Sequence, residues 1–346
     1  MAEEVKKFQS ENKVEMQGVL VSLEVEDKMT STNVPMKMGT MKVRTGEGEV
    51  HTLRLMQMKY FKNDKNNENK QYKALETIEA EYVSEEMTKD SSSEHFGKTP
   101  TVVFVIGRLE PNVFKTRGGE VVETVNISPN FISRANDPDP ELFKATLRFS
   151  GFVEANPIPE VDKNDEETGR YKLKVRGIDF QNKAFPVELV AGKIQLSEEE
   201  DDVLDAGAWI EENFERGQTV VVDADIVNKY IIKEVKRNAQ GGMGNMVDTQ
   251  RDVQRENVIF AALDPIDFDE FDEDEPAHHA QVVFPSQMEE SMKNYETYKN
   301  ERIAAAENNK KKSGSGSGSA SRGAFGSGES KKKKKSNDDL ASQLPF

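Results

Sequence analysis

Arg170, Lys172, Lys174 and Arg176 alternate with Tyr171, Leu173 and Val175. A strand repeats every two residues, so this spacing predicts four cations on one face and three apolar side chains on the other. Such a row suits the backbone of a polyanion. A second basic and aromatic set, Lys229, Tyr230, Lys233, Lys236 and Arg237, leads into Gly241-Gly242-Met243-Gly244. Earlier in the chain come Arg54, Lys59, Tyr60, Phe61 and Lys62, and then Phe114, Lys115 and Arg117. Cations neutralise phosphates and exposed rings stack on unpaired bases, each stacked base contributing roughly 1–3 kcal/mol. Together these residues form the predicted nucleic-acid-binding set. They carry no base-specific pattern, and stacking and phosphate contacts serve RNA as well as DNA.

Bond-making chemistry finds little support. The chain has no cysteine, which excludes a disulfide scaffold, a thiolate metal site and a Cys nucleophile. It contains no phosphate-binding G-x-x-x-x-G-K-S/T loop and no H-E-x-x-H. His278 and His279 are adjacent beside acids, an arrangement that rarely completes a metal site. The expectation is a binding protein, not an enzyme, with no cofactor and no metal. No apolar run reaches the roughly 20 residues of a membrane span. With no secretion signal at Met1-Ala2-Glu3-Glu4, the expected location is the cytoplasm, or the host cytoplasm or nucleoid for a viral protein.

The net charge of −16 over 346 residues argues at first against a nucleic-acid partner. The acids are clumped, however. Residues 140–265 hold 16 basic and 25 acidic residues, whereas 1–139 hold 19 and 23. One clump is Glu198–Asp202 and another runs from Asp267 to Glu275. The basic strands lie between them, so total charge says little about the local field.

The elements that must position these groups follow from periodicity. Strands are predicted around Val19–Val25, Met36–Val43 and Val50–Met58, then a helix with a stripe from Tyr72 to Met87, then strands Thr101–Leu109 and Val121–Ile127. The order recurs as strands at Phe143–Val153, Tyr171–Ile178 and Phe185–Val190, a helix over Val203–Phe214, and strands at Thr219–Ile232 and Val258–Leu263. Met16-Gln17-Gly18-Val19 aligns with Phe149-Ser150-Gly151-Phe152, and Thr101-Val102-Val103 with Thr219-Val220-Val221. Five strands with a helix between the third and fourth is the order of the OB-fold. The expected fold is therefore mainly β: two tandem OB-like five-stranded barrels, over 1–136 and 141–265. An acidic linker and helix over 266–312 should follow, with a capping box at Ser286-x-x-Glu289 and apolar positions Met288, Met292, Tyr295 and Ile303. From 313 to 346 a Gly/Ser tract and Lys331–Lys335 predict a disordered tail.

That tail ends Asp338-Asp339-Leu340-Ala341-Ser342-Gln343-Leu344-Pro345-Phe346. Acids ahead of an aliphatic residue, proline and a terminal phenylalanine resemble the C-terminal tip of bacterial and phage single-stranded DNA-binding proteins, as does the long Gly-rich approach. Leu340–Gln343 and the five lysines depart from that pattern. The resemblance implies coating of single-stranded DNA in replication, recombination or repair, with Asp338, Asp339, Leu344, Pro345 and Phe346 recruiting replication and recombination proteins. Phe346 offers a ring and a carboxylate together, which fits a pocket with a cationic rim. Oligomeric state stays open between monomer and homo-oligomer. The competing expectation is a β-barrel interaction or structural component of a virion or replication complex that does not itself touch nucleic acid.

Overall fold

Strand β1 (Asn12–Met29) serves three partners at once. Its second half, from Val19, pairs antiparallel with β2 (Pro35–Gly46), while Val14–Val19 pairs antiparallel with β4 (Val102–Lys115). Asn12–Gln17 pairs antiparallel with β6 (Lys144–Val161), the first strand of the second repeat. The partner therefore changes from β6 to β2 across Gly18. A Cβ built on Gly18 would sit 2.3 Å from the Arg44 carbonyl oxygen, so only glycine lets β2 close in there. Gly151 repeats the device in β6, between the β1 pairing and the pairing with β7 (Glu167–Ile178). There a Cβ would lie 2.2 Å from the Arg176 carbonyl oxygen.

The computed structural model describes residues 6–314 except 31, 61–66, 117, 163–164, 197–202 and 239–244, with the backbone alone for 231–252 and 308–314. The protein is mainly β. The first repeat continues with β3 (Glu49–Met58), helices α1 (Lys70–Glu81) and α2 (Glu85–Lys89), and β5 (Val121–Arg134). Its pairings run β1–β2–β3–β5–β4, and β4 returns to β1. The contact of β3 with β5, at Leu53 and Ile127, is parallel. The second repeat holds β8 (Ala184–Ala191), the short β9 (Lys193–Gln195) and β10 (Val203–Asp205), α3 (Ala206–Asn213), β11 (Thr219–Asn238) and β12 (Asn245–Ala262). Its pairings run β6–β7–β8–β12–β11 and return to β6, again with one parallel contact, Val190 with Val258. All ten long strands belong to one sheet through the β1–β6 seam. With Gly18 aligned on Gly151, Val14 pairs with its own counterpart, Leu147. The seam is thus related to itself by a pseudo-dyad within one chain.

Alternation fills the core. Val14, Met16 and Leu20 are buried, as are Leu53 and Leu55, Val103 and Val105, and in the second repeat Leu147, Phe149, Leu173, Val175, Val220 and Val222. Two details differ from the periodicity reading. Val103 faces Gly18 and Val220 faces Gly151, so Val102 matches Thr219 and the alignment of Thr101 with Thr219 slips by one residue. A slip of one is invisible in a run of valines but exchanges the two faces of a strand. The single helix expected over Tyr72–Met87 is two, because the Ser84 side chain accepts from the Met87 backbone N–H and caps a new start. Likewise Val203–Asp205 is strand, and Asp205 caps α3 through the Ala208 N–H. Lys37 is buried although it sits in β2, held by Glu79 of α1 at 2.7 Å and Asp27 at 2.9 Å. Burial favours its neutral amine, but the two carboxylates outweigh burial and keep it protonated.

The acidic segment after β12 is folded back on its histidines. His278 Nδ1 accepts from the Asp272 N–H at 3.1 Å, and His279 Nε2 meets the Glu273 carbonyl at 2.6 Å. Helix α4 (Pro285–Gly314) follows. It starts at Pro285, not at a Ser286 cap, and the Ser286 hydroxyl donates to Glu273 instead. The chain divides between Ala304 and Ala305. Within the first unit, α4 touches both repeats. The Tyr295 hydroxyl donates to Glu123 at 3.0 Å, Lys299 reaches the same carboxylate at 2.6 Å, and the Tyr298 hydroxyl donates to the Pro111 carbonyl at 3.1 Å. On its other side Asn294 donates to the Asn182 carbonyl in the β7–β8 turn, at 2.9 Å. Burial raises the Glu123 pKa, yet the Lys299 and Tyr295 hydrogen bonds win and hold it below the usual value. In the second unit, the described residues are the end of α4, up to Gly314.

Two outcomes follow. Gly151→Ala should destabilise by about 2–3 kcal/mol in urea unfolding, because the new methyl must displace backbone. Gly118→Ala, whose nearest atom is a side-chain oxygen at 3.7 Å, should stay within about 0.5 kcal/mol. His51 is buried with Nε2 2.9 Å from the Thr45 hydroxyl, and burial pushes its pKa down to about 4, even with Glu49 3.6 Å away. The unfolded ring titrates near 6.5, so stability is full above that pH and falls as pH drops toward 4. This amounts to about 2 kcal/mol by pH 5. His51→Gln should abolish that part of the slope in unfolding measured between pH 7 and 5.

Candidate nucleic-acid interface

In the first repeat the outward positions of β2 and β3 are in register. Thr40 lies opposite Arg54 and Lys42 opposite Thr52. Arg54 is exposed, and among the described residues neither it nor Lys42 meets a carboxylate. Arg44, one row on, reaches Glu85 of α2 at 3.2 Å. At the far end of β3, Lys59 lies 5.9 Å from the Tyr60 ring and 5.8 Å from the Tyr72 ring, with Glu68 at 3.9 Å. Tyr60 is half-buried and bridges to Glu68. Phe61, Lys62 and Arg117 lie outside the described residues. Phe114 and Lys115, both half-buried, close β4 opposite Val122 and Val121.

The second repeat carries the four alternating cations on the expected side of β7, with Leu173 and Val175 buried behind them. Their environment differs from the open stripe that the spacing suggests. Arg170 is 2.7 Å from Glu256 of β12 and 3.3 Å from Glu160, and Lys172 is 3.5 Å from Glu160. Lys174 and Arg176 share Glu154, at 3.6 and 2.6 Å. Arg176 is buried, donates to the Ala184 carbonyl at 2.9 Å, and lies under the Tyr295 ring of α4 at 5.8 Å. The glutamates come from β6 and β12, so no spacing within β7 announces them. The clamp in α4 was signalled only by Tyr295, Tyr298 and Lys299 at helical spacing.

Strand β11 crosses from the second repeat to the first. Lys229 pairs with Glu49, the Tyr230 N–H donates to the Gly48 carbonyl at 3.0 Å, and the Asn228 side chain reaches Val50. Gly48 has φ +69°, and a Cβ there would come within 3.3 Å of the Tyr230 carbonyl oxygen, so glycine serves both the turn and the contact. Lys229 and Tyr230 are exposed beside the β2–β3 turn. Lys233, Lys236 and Arg237 continue along β11, their side chains outside the described set. Asp338, Asp339, Leu344, Pro345 and Phe346 also lie outside the described residues.

The structure therefore puts Arg54 midway along the outward face of β3, Lys59 and Tyr60 past its far end beside α1, and Lys229 and Tyr230 beside the β2–β3 turn at its start. It places Arg170, Lys172, Lys174 and Arg176 in ion pairs on the second.

Among solved structures, the chain is similar to the wild-type single-stranded DNA binding protein from Thermus aquaticus. The identity is 12%, with a TM-score of 0.44, over 75% of this chain and 95% of that one. A deletion mutant of the same Thermus aquaticus protein gives 14% identity and a TM-score of 0.43, over 77% of this chain and 99% of that one. No curated protein matches in sequence. The YorF family model matches residues 10–318, nearly the whole described chain, and the protein belongs to the YorF family.

Proposed function

We propose that this chain is a non-enzymatic single-stranded DNA-binding protein of the cytoplasm, built on two OB-like barrels. It would coat DNA in replication, recombination or repair and recruit partner proteins through its C-terminal tip. The observation that carries the reading is the pairing ring of each repeat. First, second, third, fifth and fourth strands follow one another back to the first, with one parallel contact between third and fifth. That is the strand order of the OB-fold, whose second and third strands and whose loop between strands four and five meet oligonucleotides. In the first repeat those positions hold Arg54, which has no carboxylate partner among the described residues, and the loop hairpin of the second repeat supplies Lys229 and Tyr230 beside the β2–β3 turn. Cations with exposed rings on one surface suit a single strand, whose bases are free to stack. The longest acidic runs, Glu198–Asp202 and Asp267–Glu275, belong to other segments of the chain, and the negative total is compatible with a locally basic contact.

Salt-titrated fluorescence with a labelled oligo-dT tests the DNA half of the proposal. Binding at low salt that weakens linearly in log affinity against log salt, and that exceeds duplex binding at least tenfold, is expected. No binding, or equal affinity for duplex, would sink it. Deleting Leu344–Phe346 should leave oligonucleotide affinity unchanged or tighter while abolishing co-purification of the host's replication enzymes. Equal recovery of those enzymes with the truncated chain would remove the tip from the proposal.

A further inference from the structure

The outward face of β2 and β3 contains more than cations. Met38 lies opposite Met56 and Met36 opposite Met58. All four occupy the same phase of their strands as Arg54, because Met41, Val43, Leu53 and Leu55 on the other phase are buried. Met56 and Met58 are 54% and 47% exposed, and Met36 and Met38 are half-buried beside them. Four in-register methionines on an open strand face make a contiguous apolar patch, the kind of surface that marks an interaction site. The two rows that continue the patch hold Thr40 with Arg54 and Lys42 with Thr52. On the β1 side the same face carries Glu24, opposite Thr40, Glu26, opposite Met38, and Lys28, opposite Met36 and 3.3 Å from Glu26. A polyanion is drawn toward β3, where Arg54 meets no carboxylate among the described residues.

The matching face of the second repeat has different chemistry. With Gly18 on Gly151 and the Arg44 carbonyl on the Arg176 carbonyl, Met38, Thr40 and Lys42 correspond to Arg170, Lys172 and Lys174. The second face has no methionine on its second strand. Its cations are bound by Glu154, Glu160 and Glu256, and one end is covered by Tyr295 of α4.

We propose that the bases of bound single-stranded DNA rest on Met36, Met38, Met56 and Met58 of the first repeat, with the phosphates running along the Arg54 side, and that the corresponding face of the second repeat makes no base contact. The inference rests on the single-strand-binding reading above and assigns its surface. A thioether is polarizable and packs on the π-face of an aromatic ring, and the flexible methionine chain adapts to any base. A methionine floor therefore offers stacking without sequence preference. The carboxylates of the second repeat already neutralise its cations, so those cations release few counterions on binding.

The test uses the full chain and oligo-dT. Met56→Ala with Met58→Ala should weaken binding at least tenfold while leaving the salt slope unchanged, since no phosphate contact is lost. Arg54→Ala should reduce the slope by about 0.7, the value for one phosphate of a single strand. Lys172→Ala with Lys174→Ala should stay within twofold of wild type. A second measurement needs no variant. Bound oligo-dT should protect Met56 and Met58 from peroxide oxidation, read by mass spectrometry, while Met292 on α4, 37% exposed, oxidises at the same rate with and without DNA. If the wild type binds but Met56 and Met58 oxidise unprotected, or the Lys172 and Lys174 pair costs as much affinity as the methionine pair, this assignment falls and single-strand binding survives. If the wild type does not bind, both fall together.

Discussion

Everything in the first unit depends on the approach of a backbone carbonyl to a residue without a side chain. The Arg44 oxygen at Gly18 and the Arg176 oxygen at Gly151 occupy space that any Cβ would claim. That space lets the first strand of each repeat exchange one partner for another along a single edge. Before the glycine the edge belongs to the other repeat, and after it to the repeat's own second strand. One residue thus lets each first strand pair with its own second strand and frees the segment that joins the two repeats.

The pseudo-dyad at Val14 and Leu147 relates the two first strands and leaves the halves free to differ in surface. They differ sharply. One face shows methionines and an arginine with no carboxylate partner among the described residues, and the other shows four cations each met by a glutamate. Helix α4 reinforces the difference, because it holds the second repeat through Arg176 and Asn182 and the first through Glu123 and Pro111. A clamp anchored on both halves has a partly covered carboxylate at its centre. Glu123 accepts from Tyr295 and Lys299 together, so losing either donor leaves a charge short of partners. The long hairpin of the second repeat adds a further bridge at Gly48, bringing its Tyr230 beside the first repeat's turn.

Strand order, and most strand positions, are legible because burial alternates with period two within a single strand. The glycine match is legible for the same reason that it matters: a glycine inside a valine-rich strand weakens it unless another backbone must come close. The matching after the helices is legible only to within one residue, because Thr-Val-Val and Val-Val-Val read alike in either phase. The break at Ser84 is hidden because a cap is a hydrogen bond between neighbours, whereas the apolar stripe runs through it. The methionines are hidden as well, because Met36, Met38, Met56 and Met58 read as ordinary strand content until their outward phase is known.

The sequence by itself determined which face of each strand carries charge and that two copies of one five-strand unit follow each other. Both are local properties, set by backbone geometry and by residues a few positions apart. Only the tertiary structure decided which cations remain available to a ligand. Glu154, Glu160 and Glu256 reach Arg170, Lys172, Lys174 and Arg176 through pairings of β6 and β12 with their neighbours, and Tyr295 arrives from more than a hundred residues away. An ion pair is a statement about distance in space. Register, bulges and the docking of a distant helix set that distance, and none of them is written in the spacing of the cations themselves.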